Sequence, residues 1–170
     1  MRYTVTKETH IINAQAALDQ FIRHGASSYA KSRNYDLGQG KHSAVSNLSK
    51  FVSHRLLFEF DIIEQILGAH SYQQTEKFIQ EVFWRVYWKG WLENRPQVWS
   101  AFKNQPCVEM TTELKHAQIG NTGIGCFDSW VEELRDTNYL HNHARMWFAS
   151  IWIFTLKLPW HLGARFFMAH

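Results

Sequence analysis

The sequence predicts an all-α fold. Three prolines and nine glycines in 170 residues leave long stretches unpunctuated. Phe78, Val82, Arg85 and Lys89 follow one another at helical spacing, with Glu81 and Trp84 on a neighbouring stripe. No run alternates apolar and polar residues with a period of two, and no βαβ alternation or internal repeat occurs.

Taken in order, Ala14, Leu18, Phe21, Ile22, Ala26 and Tyr29 form an apolar stripe that predicts a helix over 14–31 despite Gly25. Residues 32–43 are polar, contain Gly38 and Gly40, and read as a loop. A helix is expected from about Lys50, another over 56–67 ending near Gly68, and the strongest from Thr75 to about Glu93. Asn94-Arg95-Pro96 breaks it, with Pro96 placed to start the next helix. Gly120, Gly123 and Gly125 predict a flexible connection before a helix over 127–136. After a joint at 138–141, a long apolar helix is expected over 142–158, stopped by Pro159, and a last one from Gly163.

Size and composition narrow the function classes. The chain is long enough for one domain with a core of its own. Eight tryptophans call for a large aromatic core, a flat ligand, or both. A net charge of +3 is compatible with phosphate-bearing partners. Cys107 and Cys126 form no C-x-x-C pair, so a reduced, cytoplasmic protein without structural zinc is expected. The apolar stretch 146–160 contains Lys157 and falls short of the ~20 residues of a membrane span. No G-x-S-x-G, P-loop or G-x-G-x-x-G is present.

Three constellations carry chemistry. The segment from Phe78 to Trp91 is aromatic on several sides and must pack in a core or line a large pocket. Within it Glu81, Trp84 and Arg85 place a carboxylate, an indole and a guanidinium within about one turn, and each needs a partner. A stacked base or flavin with phosphates would supply them. Ser46-Asn47-Leu48-Ser49 precedes a helix start, which serves either as an ordinary cap or as an anion site. Asn142 and Arg145, at i and i+3, share a face and can address one polar ligand, or else mark a helix start with a solvated arginine. His141 and His143 point to different helix faces, which disfavours metal.

In order along the chain, these pieces resemble the FAD-binding helical domain of the photolyase/cryptochrome family. Tyr29 with Arg33 resembles its start, and Val45-Ser46-Asn47-Leu48-Ser49 its T-S-x-L-S element. Phe78 to Arg85 resembles W-x-x-E-x-x-W-R, and Thr122-Gly123 through Met146 resembles T-G-x-x-x-x-D … T-G-x-x-H-N-x-x-R-M. The resemblance implies FAD contacts from Tyr29, Ser46, Leu48, Ser49, Arg85, Asn142 and Arg145. It implies pyrimidine-dimer contacts from Glu81, Trp84 and Met146, and a place for Trp160 in a tryptophan chain that photoreduces the flavin. His143 stands where an arginine usually meets DNA phosphate, which makes that charge pH-dependent.

Other departures are Val45 for threonine, Phe78 for tryptophan, Tyr139 for tryptophan, and Asn138 for a glycine, the last tolerable on a left-handed backbone. Cys107 falls near the position of the outer tryptophan of that chain. The implied partner is damaged DNA, with neither metal nor membrane. The implied activity is light-driven dimer splitting from reduced FAD, the alternative being a cryptochrome-type photoreceptor without repair. The expected organisation is one partial helical domain over 1–170, lacking an antenna domain ahead and a D-G-D element behind.

Overall fold

In the computed structural model, residues 7–42 and 45–170 are described. Among them ten α-helices and one π-helical turn succeed one another with no strand, as the sequence predicts. They form two compact units, Met1–Asn94 and Arg95–His170. No helix of the described residues is long and apolar enough to cross a membrane.

The first unit holds α1 (Lys7–His24), α2 (Tyr29–Ser32), α3 (Ser49–Ser53), α4 (Glu59–Ala69) and α5 (Tyr72–Glu93). The single helix expected over 14–31 is broken. The N–H groups of both Gly25 and Ala26 donate to the Phe21 carbonyl, at 2.8 and 2.9 Å, and this closure ends α1. Buried Ala26 then joins Ala14, Leu18 and Phe21 in a core completed by Leu48, Val52, Ile62, Ile66 and Phe78. Gln15 donates to Gln65 at 2.7 Å, and His70 to the Ile22 carbonyl at 2.7 Å, tying α1 to α4 and its C-terminal cap. The α5 start moves from Thr75 to Tyr72, because the Ser71 N–H is taken by the Gln74 side chain at 3.2 Å.

The second unit holds α6 (Pro96–Lys103), α7 (Thr112–Ile119), α8 (Gly125–Thr137), α9 (Asn142–Ser150), the π-turn (Ile151–Thr155) and α10 (Trp160–Ala169). Pro96 opens α6 as predicted. The α7 helix has no counterpart in the sequence reading. Thr111 caps it by accepting from the Leu114 N–H at 3.2 Å, and Gly120 ends it at φ +74°. Asn138 adopts φ +54° and closes α8, which is why a residue other than glycine serves there.

The helix predicted over 142–158 stops at Ser150. The Leu156 N–H reaches back to Ile151, and Lys157 takes φ +56°, turning the chain before Pro159. This turn drops Trp152 into the core, 1% exposed, where Phe148 and Phe166 stack against it at 5.8 and 6.2 Å. Its indole Nε1–H donates to the Pro159 carbonyl at 3.0 Å, so the buried polar atom is satisfied. The return helix fits because Gly163 lies against the indole: a Cβ there would meet Trp152 ring atoms at 3.1 Å.

Gly163→Ala therefore overpacks this contact. Denaturant melts should show a loss of about 1–3 kcal/mol, with Gly68→Ala, where a Cβ meets nothing within 4 Å, as the open-space comparison.

Candidate functional site

The predicted residues fall into one group in each unit. In the first, Tyr29 opens α2 and packs edge-on against Phe21 and Phe78, with centroids at 6.1 and 5.2 Å. Burial, then the neighbouring Glu81 charge, raises its phenol above the ordinary value, against an opposing pull from Arg33. Arg33, one turn along from Tyr29, forms an ion pair and hydrogen bond with Glu81 of α5. The carboxylate expected to meet a lesion is thus held by a guanidinium of its own unit.

Arg85 is likewise engaged. It donates to the Ser53 hydroxyl at 2.9 Å, and its Nε lies 3.6 Å from Glu59, a buried carboxylate that Arg55 also reaches at 3.2 Å. Burying Glu59 without those cations would be costly, so this cluster has a structural reason to exist. Ser46 accepts from the Leu48 N–H at 3.4 Å, Leu48 is buried in the core, and Ser49 is the exposed first residue of α3. Asn47 at φ +53° shapes this turn and donates to the His42 carbonyl at 3.3 Å.

The far half of α5 departs from the core-packing alternative. Phe78 and Ile79 are buried, whereas Trp84 is 53% exposed and Phe83, Tyr87 and Trp88 are also exposed. Trp84, Tyr87, Trp88 and Trp91 contact one another edge-on in succession, at 5.3 to 5.6 Å. They form an aromatic strip along one helix.

In the second unit His141 caps α9, its Nδ1 accepting from the His143 N–H at 3.2 Å. Asn142 follows at the helix start, exposed, one turn from Arg145. Arg145 donates from Nε to the Leu140 carbonyl at 2.9 Å and lies 5.5 Å over the Phe167 ring. Although the residue as a whole is exposed, the surrounding protein desolvates its head and holds its pKa below the ordinary arginine value, with Tyr139 opposing. No carboxylate pairs with it among the described residues. His143 stands edge-on to Trp147 at 4.4 Å, and Met146 is 62% exposed.

The T-G-x-x-x-x-D element has a structural office. Asp128 accepts from the Thr122 N–H at 2.9 Å, the Thr122 hydroxyl at 2.7 Å and the Gly123 N–H at 3.0 Å. Burial alone would raise its pKa. The three hydrogen bonds outweigh that and hold it below the usual carboxylate range.

Trp160 begins α10, half exposed, with Phe102 at 5.9 Å and Trp99 stacked beyond Phe102 at 5.4 Å. Sequence reasoning missed Trp99 and Phe102, although their i, i+3 spacing on α6 was visible. Cys107 and Cys126 are both exposed and free.

Residues 78–170 match the family described as the FAD binding domain of DNA photolyase. Along 90% of its length the chain is 27% identical to a deoxyribodipyrimidine photo-lyase of Neurospora crassa, covering 26% of that protein. It is 28% identical over 92% of its length to the Escherichia coli enzyme of that name, covering 34% of it. It is also 31% identical over 56% of its length to the mitochondrial deoxyribodipyrimidine photo-lyase of Saccharomyces cerevisiae. The chain thus spans about a quarter to a third of the Neurospora and Escherichia proteins.

The Asp128 turn gives a pH prediction. Its folded pKa is lowered, so its stabilisation is present above the ordinary carboxylate range and is lost as pH falls through the folded value. Asp128→Asn should cost about 1 kcal/mol at pH 7, and in pH-dependent urea melts the gap between mutant and parent should narrow as pH falls below the ordinary carboxylate range.

Proposed function

The chain belongs to the family of FAD binding domains of DNA photolyase, and from that premise we propose that it holds FAD and uses it in light-driven repair of pyrimidine dimers in DNA. FAD is the cofactor of this domain family. The observation that carries the reading is Arg145: a guanidinium with no ion-pair partner and one hydrogen-bond partner among the described residues, a backbone carbonyl, with the Asn142 amide one turn away. A guanidinium with donors unspent suits a phosphate or a flavin oxygen, and the amide suits a heterocycle edge. Those two residues fit the cofactor. Arg85 fits less well as a direct ligand, because Glu59 and Ser53 already occupy it.

When bound, reduced and excited, FAD supplies the electron that splits the dimer. The protein's part is placement. On the first unit Trp84 offers an exposed indole face on which a flipped-out lesion can stack. On the second, Met146 is exposed and adaptable. Glu81 accepts a hydrogen bond from the dimer once Arg33 yields it, and Arg33 then remains beside the lesion. On the first unit the proposed cofactor contacts are Tyr29, Ser46, Ser49 and the backbone at Leu48, whose side chain is buried in that unit's core. Trp160, in ring contact with Phe102 and through it with Trp99, both indoles half exposed, provides a route for the electron that reduces the flavin. Phenylalanine is too hard to oxidise to act as a stop, so Phe102 serves as filling between two indoles.

A second reading, a cryptochrome-type photoreceptor without repair, draws on two observations. His143 replaces a permanent charge with a titrating one, and Glu81 is occupied by Arg33.

Purified protein incubated with FAD should retain it, and Arg145→Ala should weaken retention about tenfold or more, the scale of one charged hydrogen bond. Under blue light the reduced protein should restore thymine-dimer oligonucleotide. Glu81→Ala should cut that rate sharply while flavin content is unchanged. A yellow protein that leaves dimers intact selects the photoreceptor reading, and a colourless one removes both.

A further inference from the structure

In the second unit, α6 and α10 enclose a shallow cavity of about 400 Å³ lined by Trp99, Phe102, Lys103, Arg165, Met168 and Ala169. None of the residues assigned above to the flavin or the lesion lines it. The size falls at the lower end of small-ligand sites. Its floor is aromatic: Trp99 and Phe102 stack at 5.4 Å with 29° between planes, and Trp99 remains half exposed. Its rim is cationic, with the Lys103 ammonium 5.7 Å from the Trp99 centroid and the Arg165 guanidinium 5.7 Å from that of Phe102.

The lining contains no carboxylate, and neither cation forms an ion pair among the described residues. Two positive heads are therefore held above two rings with nothing negative to answer them.

That pairing selects a ligand class. An apolar guest would leave two cations desolvated without a partner. Inorganic phosphate would answer the cations and leave the ring faces wet. A flat ring bearing a phosphate answers both, stacking on indole and phenyl while the guanidinium and ammonium take its oxygens. Met168, exposed and flexible, can close over the ring edge. We propose that this cavity binds the stacked base and phosphate of a nucleotide, for which AMP serves as the probe. A free mononucleotide and one residue of a single strand carry the same chemistry, and the test separates them. Trp99 and Phe102 are shared with the electron route proposed above, but the proposal does not rest on the flavin reading, since its readout in the dark is independent of it.

Equilibrium dialysis of the full chain in the dark, with and without saturating FAD, supplies the measurement. AMP should bind saturably at both settings, about tenfold or more tighter than adenosine or inorganic phosphate, and more weakly as salt rises. The double variant Lys103→Gln/Arg165→Gln should lower affinity about tenfold or more, and Trp99→Ala should do so separately. The first pair lies on exposed side chains and leaves the core intact, so it tests the site even if Trp99→Ala unfolds. A tetradeoxyadenylate that binds about tenfold tighter than AMP assigns the cavity to a strand, and equal affinity assigns it to the free nucleotide. AMP binding that is absent, that survives the double variant, or that disappears in Arg145→Ala instead would overturn the proposal.

Discussion

The second unit is organised around the burial of one indole. Trp152 cannot be placed in the core by a regular helix running on to Pro159, so the chain widens into a π-turn and pivots at Lys157. Its Nε1–H takes the Pro159 carbonyl, which fixes where α10 begins. Gly163, three residues into α10, supplies the room for the ring. The start of α10 in turn sets Trp160 beside Phe102, and the packed rings of Phe127 and Phe148 set α9 on α8. Asn142 and Arg145 stand on α9. The placement of polar groups thus follows from an apolar requirement, as expected where packing density leaves few alternatives.

Charge distribution separates structural from available cations. Glu59, buried in the first unit, draws Arg55 and Arg85, and Glu81 draws Arg33. The cations at Glu59 neutralise a buried carboxylate that would otherwise be costly there, whereas Glu81, partly exposed, is held by a pair of smaller consequence. Arg145 has no such obligation, being held by the Leu140 carbonyl and the Phe167 ring. A guanidinium without an anion keeps donors free for one, which distinguishes it from Arg85 although the sequence offers both as cofactor ligands.

Local signals explain what could be read without the structure. Pro96 opening α6, Asn138 in the left-handed region closing α8, and the helical stripe of α5 all depend on neighbours within a turn. The all-α class and the family followed from such signals, because motif residues keep their spacing. The break at Gly25 was hidden because the apolar stripe continues through Ala26 and Tyr29, although the Phe21 carbonyl ends the helix. The α7 helix is polar on most sides and rests on the Thr111 cap. The π-turn is set by tertiary packing of Trp152. Partners distant in sequence, Glu59 for Arg85 and Arg33 for Glu81, lie beyond any reading of spacing, as does the exposure of Trp84 and Trp88 on a helix that looks fit for burial.

We propose that Arg145, rather than Arg85, supplies the cation that holds the flavin. A ligand that binds the folded chain alone raises its melting temperature by an amount that grows with the logarithm of its affinity. The FAD-induced rise should therefore be measured in the parent, in Arg145→Lys and in Arg85→Lys, each against its own unliganded melt. The account predicts a saturable rise in the parent, a much smaller one in Arg145→Lys, and a parent-like one in Arg85→Lys despite a lower starting melt. An undiminished rise in Arg145→Lys, or one abolished only in Arg85→Lys, would contradict it.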